Sequence, residues 1–266
     1  MIVVATAEMD GFVAVATQAA LAAGAFIKSH YGEVPVVNEM KKYDIKLELD
    51  VQSQAMIEGI LLGAFPDHAL YGEEGLAGNQ ESAFQWIVDP IDGTVNYFYG
   101  IPHFCVSIAL RLEGVIIVGV IFDPMMNDLW VARRDGGPTL NGKPIRVSER
   151  AELAEAVVTV GFSKSKASID AGFKRFVDIA YRVRKTRMLG SAALAMAYIA
   201  CGRLDAYIEE IISLWDVAAG LLLVETAGGS TQLFPKDEVG EKFSLCSSNG
   251  ALPLAEFITE MGDPVR

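Results

Sequence analysis

A short apolar run, Trp86-Ile87-Val88, leads directly into Asp89-Pro90-Ile91-Asp92-Gly93-Thr94-Val95-Asn96, so a buried strand must end on two carboxylates. Pro90 is expected to stop the strand and Asp92-Gly93 to turn the chain sharply, which sets both acids together just outside the strand end. Two carboxylates held that close repel each other unless a cation neutralises them. Asp-Pro and Asp-Gly are also ordinary turn dipeptides, so the segment alone fits either a metal site or a plain turn. An Asp-x-Asp-Gly-Thr string would indicate an aspartyl-phosphate mechanism; here the aspartates are three positions apart, and that mechanism gains little support.

Hydrophobic periodicity organises the rest. Phe12, Val15, Ala16, Ala19, Ala23, Phe26 and Ile27 recur at helical spacing between Glu8 and His30. A second helix follows Asp50 through Val51, Ala55, Met56, Ile60 and Leu61 and stops at Pro66-Asp67. From residue 86 to 131 short β-branched and aromatic runs are separated by the turns Glu113-Gly114 and 124–127, the texture of an antiparallel sheet. Beyond the turn-rich stretch 135–144, strands at 157–162 and 206–208 alternate with helices at 169–181, 192–201 and 217–226. The expected fold class is therefore α/β, with an α+β N-terminal half over residues 1–150 and an α/β C-terminal half over 151–266.

Composition narrows the function. With 52% hydrophobic and 21% charged residues among 266, a large core is available. A formal charge of -12 disfavours binding to nucleic-acid phosphate, whereas bound cations would still let the chain take a small phosphorylated metabolite. Cys105, Cys201 and Cys246 are odd in number and sit in apolar segments, as expected of reduced, buried thiols in the cytoplasm. No apolar run reaches the roughly 20 residues that span a bilayer, and no membrane association is expected. His30, His68 and His103 are scattered without metal-ligand spacing and are expected to be structural, while Trp86 and Trp215 are expected to anchor the core.

Two further acidic segments accompany the first. Tyr71-Gly72-Glu73-Glu74-Gly75 sets two carboxylates in a glycine-bounded turn, and Leu214-Trp215-Asp216-Val217-Ala218-Ala219-Gly220 sets Asp216 at the start of a small-residue helix. A solvated turn and a helix cap explain each of them taken singly.

Taken in order, these segments resemble the inositol monophosphatase family of magnesium-dependent, lithium-sensitive phosphatases. The resemblance runs through Gly72-Glu73-Glu74, Asp89-Pro90-Ile91-Asp92-Gly93-Thr94, Trp215-Asp216-Val217-Ala218-Ala219-Gly220 and Ala227-Gly228-Gly229, and includes Ser247-Ser248-Asn249-Gly250. It implies a layered helix/sheet sandwich with the metal site between the halves. It also implies that Glu73, Asp89 and the Ile91 carbonyl hold one Mg²⁺, that Asp89, Asp92 and Asp216 hold a second, and that a weaker third ion lies near Glu73. Hard oxygen donors suit that metal. Asp50 and Thr94 are implied to activate the attacking water. Asp92, Gly93, Thr94, Ser191, Ala192, Glu209 and Asp216 are implied on the substrate side, and a homodimer is implied as the assembly.

The chain departs from the family pattern in places. Leu47 stands where a threonine is usual in the segment from Asp44 to Asp50, Lys41 and Lys42 are the two candidates for the usual active-site lysine, and Thr226 replaces a glutamate. Ser163, Lys164 and Lys166 are expected in an exposed loop. Inositol monophosphate is the favoured substrate. Histidinol phosphate, fructose 1,6-bisphosphate and 3'-phosphoadenosine phosphates are the alternatives within the family, and a catalytically silent inositol-phosphate-binding protein is the alternative of another class.

Overall fold

The structure, a computed structural model, describes residues 4–42, 45–161, 166–237 and 242–264. Asp44, Ser163 and Lys164 lie outside the described residues. The chain opens with α1 (Thr6–Ser29), the hairpin β1 (Val37–Met40) and β2 (Ile45–Leu47), and α2 (Glu48–Ala64). Then come β3 (Ala69–Gly72), β4 (Gly75–Gly78), β5 (Phe84–Asp92), α3 (Thr94–Phe98), β6 (Cys105–Leu112), β7 (Val115–Asp123), β8 (Asp128–Arg133), β9 (Thr139–Leu140) and β10 (Lys143–Pro144). The C-terminal stretch runs β11 (Val157–Gly161), α4 (Lys166–Ala180), β12 (Lys185–Arg187), α5 (Ala192–Ala200), β13 (Ala206–Ser213), α6 (Leu214–Thr226), β14 (Ser230–Pro235), β15 (Lys242–Ser248) and α7 (Ala255–Ile258).

These elements stack in alternating layers. An eight-stranded sheet, ordered β10-β9-β8-β7-β6-β5-β3-β4, is antiparallel except where β3 runs parallel to β5. A five-stranded sheet, ordered β12-β11-β13-β15-β14, holds the parallel trio β12-β11-β13. α1 and α2 cover one face of the large sheet, α5 and α6 fill the space between the sheets, and α4 packs on the far side of the small one. The mixed α/β sandwich expected from the sequence is what forms.

Each layer follows from its residues. Met9, Phe12, Ala16, Ala19, Ala20, Ala23 and Ile27 of α1 are buried, and the helix packs on α2 and β7. α1 is also long and apolar enough to span a bilayer by length and composition, contrary to the sequence expectation, but that apolar face is spent on the core. The middle layer needs small residues because two sheets close on it. Ala192 to Ala197 of α5 and Val217 to Gly220 of α6 are buried accordingly. Trp86 is fully buried with its ring against Phe12, whereas Trp215 is partly exposed against Tyr71. His68 stacks between Phe65 and Phe84, His30 lies on Phe26 and His103 on Tyr198. Cys105 and Cys246 are buried free thiols, while Cys201 is only partly buried, because it caps the exposed end of α5.

One expectation fails instructively. Pro90 does not end the strand: β5 continues to Asp92. Asp89 pairs with Ser107 and Asp92 with Cys105, so Pro90 and Ile91 together oppose the single residue Val106. That is a bulge, one of the few places where a sheet tolerates proline. The pairing with β3 has already ended at Gly72 and Val88, so no ladder on that side needs an N–H from residue 90.

Sheet and middle layer approach closely at Gly119 on β7. A Cβ there would stand 2.7 Å from the Ala219 carbonyl oxygen and 3.1 Å from its Cα. Both are helix backbone and have no rotamer to escape into. Gly119→Ala is expected to lower stability by about 1–3 kcal/mol, the usual cost of overpacking, read as a lower urea midpoint with an unchanged slope.

Candidate active site

The bulged end of β5 is the centre around which the other acids gather. Asp89 is buried, and its Oδ1 accepts from the Ile91 N–H at 3.0 Å, which the bulge turns back towards it. Glu73 comes from the β3–β4 turn, whose backbone is held by the Glu73 N–H to the Val88 carbonyl at 3.1 Å. Asp216 enters from the first turn of α6 and Asp50 from the first turn of α2. Both sit three residues after the helix cap and accept the cap's own N–H, Ser213 to Asp216 at 2.9 Å and Leu47 to Asp50 at 2.8 Å. Asp216 is thus both a helix-end acceptor and a member of the cluster.

Asp92 is held differently. Its Oδ1 accepts from the Ala192 N–H at 3.2 Å and its Oδ2 from the Ala193 N–H at 2.7 Å. The Ser191 hydroxyl also donates to Oδ2. The start of α5 therefore grips a carboxylate from the large sheet. Ser191 and Ala192, expected on the substrate side, do line the cleft, but their polar groups are directed at Asp92.

Oxygens of Asp89, Asp92 and Asp216 all lie within 4.8 Å of one another. Burial drives the protonation of all three upward, reinforced at Asp89 by Glu73, Asp92 and Asp216, and Asp216 is pushed up to about 8. Burial, with Glu73 and Glu74 adding to it, raises Asp50 to about 7. Such a cluster in the charged state needs compensation. The donor set, all oxygen with neither histidine nor thiolate, fits a hard divalent cation.

The cluster lines a cleft of about 260 Å³. Glu73, Asp89, Ile91, Asp92, Gly93, Thr94, Ser191, Ala192, Glu209 and Asp216 all line it. Asp50 does not; it lies behind Thr94, whose hydroxyl is 3.4 Å from Asp50 Oδ1 and 2.9 Å from the Ile91 carbonyl. Glu209 is held from within the small sheet. Its Oε2 accepts from the Tyr207 hydroxyl at 3.1 Å, and burial pushes it up to about 8. Gly161 leaves the space that this carboxylate occupies. No Lys, Arg or His lines the cleft among the described residues.

Sequence reasoning missed three parts. Gln54, one helical turn after Asp50, accepts the Glu74 N–H at 2.9 Å and lies flat against Gly72, so α2 braces the turn that carries Glu73. Lys46 pairs with Glu74 at 3.1 Å, whereas Lys41 pairs with exposed Glu39 and neither Lys41 nor Lys42 lines the cleft. Lys166 is exposed at the start of α4. The lining residues Met188 and Ile212 carry no motif at all. A glutamine at helical spacing from Asp50 was the one available signal.

The sequence pattern of the inositol monophosphatase family matches residues 8–255. The chain belongs to that family. It is 42% identical over 216 residues to the Nus factor SuhB of Xylella fastidiosa, covering 80% of this chain and 78% of the relative. It is 38% identical over 225 residues to the inositol-1-monophosphatase of Synechocystis sp., covering 84% and 78%. Its structure matches the inositol monophosphatase of Anabaena (Nostoc) sp. PCC 7120 with a TM-score of 0.80 and 34% identity, covering 96% of each chain. Like those inositol monophosphatases it is a phosphoric monoester hydrolase, and the family is metal-dependent and acts on small phosphorylated substrates.

Raised carboxylates have a measurable consequence. The folded protein holds protons that the unfolded chain, with aspartates near 4, releases. In chelator, their stabilising contribution is present below about pH 4 and is lost as pH rises through the folded values near 7 for Asp50 and 8 for Asp216. The melting temperature in chelator is expected to fall between pH 5 and 8, and added Mg²⁺ to flatten that fall. A chelated protein equally stable at both ends would show that the acids are not protonated together.

Proposed function

We propose that this phosphatase hydrolyses an inositol monophosphate with Mg²⁺, by in-line attack of water on phosphorus. The observation that carries the reading is the cleft's lining: a carboxylate cluster, a protonatable Glu209, and no cationic side chain among its described lining residues. A bisphosphate would bring a second dianion to a cleft whose described lining carries no cationic side chain, which argues against fructose 1,6-bisphosphate and 3'-phosphoadenosine phosphates. Near neutral pH Glu209, raised to about 8, both donates to and accepts from sugar hydroxyls. That favours a neutral polyol over histidinol phosphate.

In this reading Glu73, Asp89 and the Ile91 carbonyl hold one Mg²⁺, and Asp89, Asp92 and Asp216 hold another, with a weaker third near Glu73. Bound there, the cations supply positive charge to the phosphate and its leaving oxygen and lower the pKa of water. The remaining work falls to the chain. Asp50, raised to about 7, takes the proton of the attacking water through the Thr94 hydroxyl that lies beside it. The amides of Gly93 and Thr94 receive phosphate oxygens. Asp92, gripped by α5, faces both the cation and the substrate's neighbouring hydroxyl. Retention of all these groups argues against a silent binding protein. Lithium inhibition, a homodimer and a cytoplasmic location belong to the same reading.

The roles of Asp92 and Thr94 separate in a magnesium titration. Asp92→Asn removes a ligand charge and is expected to raise the Mg²⁺ needed for half-maximal activity, with partial recovery at high metal. Thr94→Ala leaves every acid in place and is expected to lower kcat by about 10² to 10⁴ at all metal concentrations. Full recovery of Thr94→Ala by metal would refute its part in water activation, and undiminished turnover in excess chelator would refute the metal requirement. Steady-state kcat/KM for inositol monophosphate against histidinol phosphate tests the substrate, a preference of more than about tenfold for the latter reversing the assignment. Sedimentation of the purified protein tests the dimer.

A further inference from the structure

We propose that Asn96 is a positioning residue: its side-chain amide latches the segment ahead of α5 onto the β5 bulge and so sets both the grip on Asp92 and the substrate-side wall. The inference rests on the roles proposed above for Asp92 and Gly93. Asn96 closes the motif that begins at Asp89, yet neither metal binding nor water activation uses it. Its Nδ2 donates to the His103 carbonyl at 2.8 Å and to the Leu189 carbonyl at 2.9 Å. The first acceptor lies just before β6 and the second just before α5. Both protons of one amide are therefore shared between the large sheet's end of the chain and the C-terminal stretch.

The backbone around the amide is shaped for that contact. Gly190 has φ +77°, and a Cβ there would stand 3.0 Å from Asn96 Nδ2 and 3.1 Å from Oδ1. Gly93 has φ +100°, and a Cβ there would stand 3.0 Å from the His103 carbonyl and 3.2 Å from the Gly190 carbonyl. Two left-handed glycines and one amide thus converge, and side chains are excluded from the space between them. The residue after Gly190 is Ser191, whose hydroxyl, followed by the Ala192 and Ala193 amides, holds Asp92. Met188 and Leu189 on the other side of the latch are cleft wall. A small rotation of this segment moves the donors on Asp92 and the wall together.

The latch is not what keeps the halves associated. The buried cluster between the sheets, with Ile87, Ala109 and Trp130 on one side and Leu222, Leu223 and Leu245 on the other, does that independently. Losing the amide is therefore expected to alter binding in the cleft while leaving the fold in place.

The test uses Asn96→Ala, which deletes the donor, and Asn96→Asp, which keeps the shape but turns a carboxylate towards two carbonyl oxygens. Three quantities are read on the full chain: melting temperature, Mg²⁺ affinity by calorimetry, and affinity for inorganic phosphate at saturating Mg²⁺. Both variants are expected to melt within a few degrees of wild type. Both are expected to bind Mg²⁺ and phosphate about tenfold more weakly, the scale of two lost hydrogen bonds, with KM for inositol monophosphate rising more than kcat falls. Wild-type affinities for both Mg²⁺ and phosphate would overturn the latch, and so would failure of both variants to fold, which would make the amide a support of the whole structure. The binding measurements need no turnover. If wild type binds phosphate with Mg²⁺ but leaves inositol monophosphate intact, the substrate assignment fails and the latch is still decided.

Discussion

Everything near the cleft answers to one electrostatic problem, the crowding of buried Asp89 and Asp92 with half-buried Asp216 within a few ångströms. No described lysine or arginine reaches in to relieve it from the cleft. Orientation comes instead from main-chain amides: Ile91 for Asp89, Ala192 and Ala193 for Asp92, Ser213 for Asp216 and, one step back, Leu47 for Asp50. An amide dipole fixes a carboxylate's direction without cancelling its charge. The cluster therefore keeps its demand for a cation while each member stays aimed.

That arrangement explains how the sandwich is ordered. α2 and α6 each present an aspartate from the third position of the first turn, and the bulge delivers the other two from one strand. The acids come from opposite faces of the large sheet, since α2 covers one and α6 the other. They meet only where β5 projects past the end of β3. A straight strand would send Asp89 and Asp92 to opposite faces if they were an odd number of places apart. The extra residue at the bulge resets the alternation and brings them to one side.

Much of this was legible in the sequence, and what was not has a physical reason. The helical repeat of Phe12, Ala16, Ala19, Ala23 and Ile27 and the β-branched strands 104–122 announce their elements because each buries one periodic face. The acids were legible because three acidic segments, each ordinary by itself, follow one another in the order that the family carries them. Pro90 was misread as a stop, since a bulge is a property of two strands and its partner Val106 is sixteen residues away. The engagement of Ser191 and Ala192 with Asp92 spans about a hundred positions and leaves no local pattern. Gln54 and Asn96 are ordinary polar residues until the carbonyls and amides they meet are seen.

The dependence on main-chain donors has a bearing on how such a cleft diversifies. Substitutions do not remove a backbone amide, proline excepted, so the holds on Asp50, Asp89 and Asp216 survive most changes in the side chains around them. Elsewhere the cleft is lined by apolar side chains, among them Val95 from α3, Met188 from the segment between β12 and α5, and Ile212 from β13. Selectivity can therefore drift by ordinary point changes at these apolar positions while the main-chain holds on the acids are sheltered from them. Divergence in substrate without divergence in chemistry is the evolutionary course that this division makes easiest.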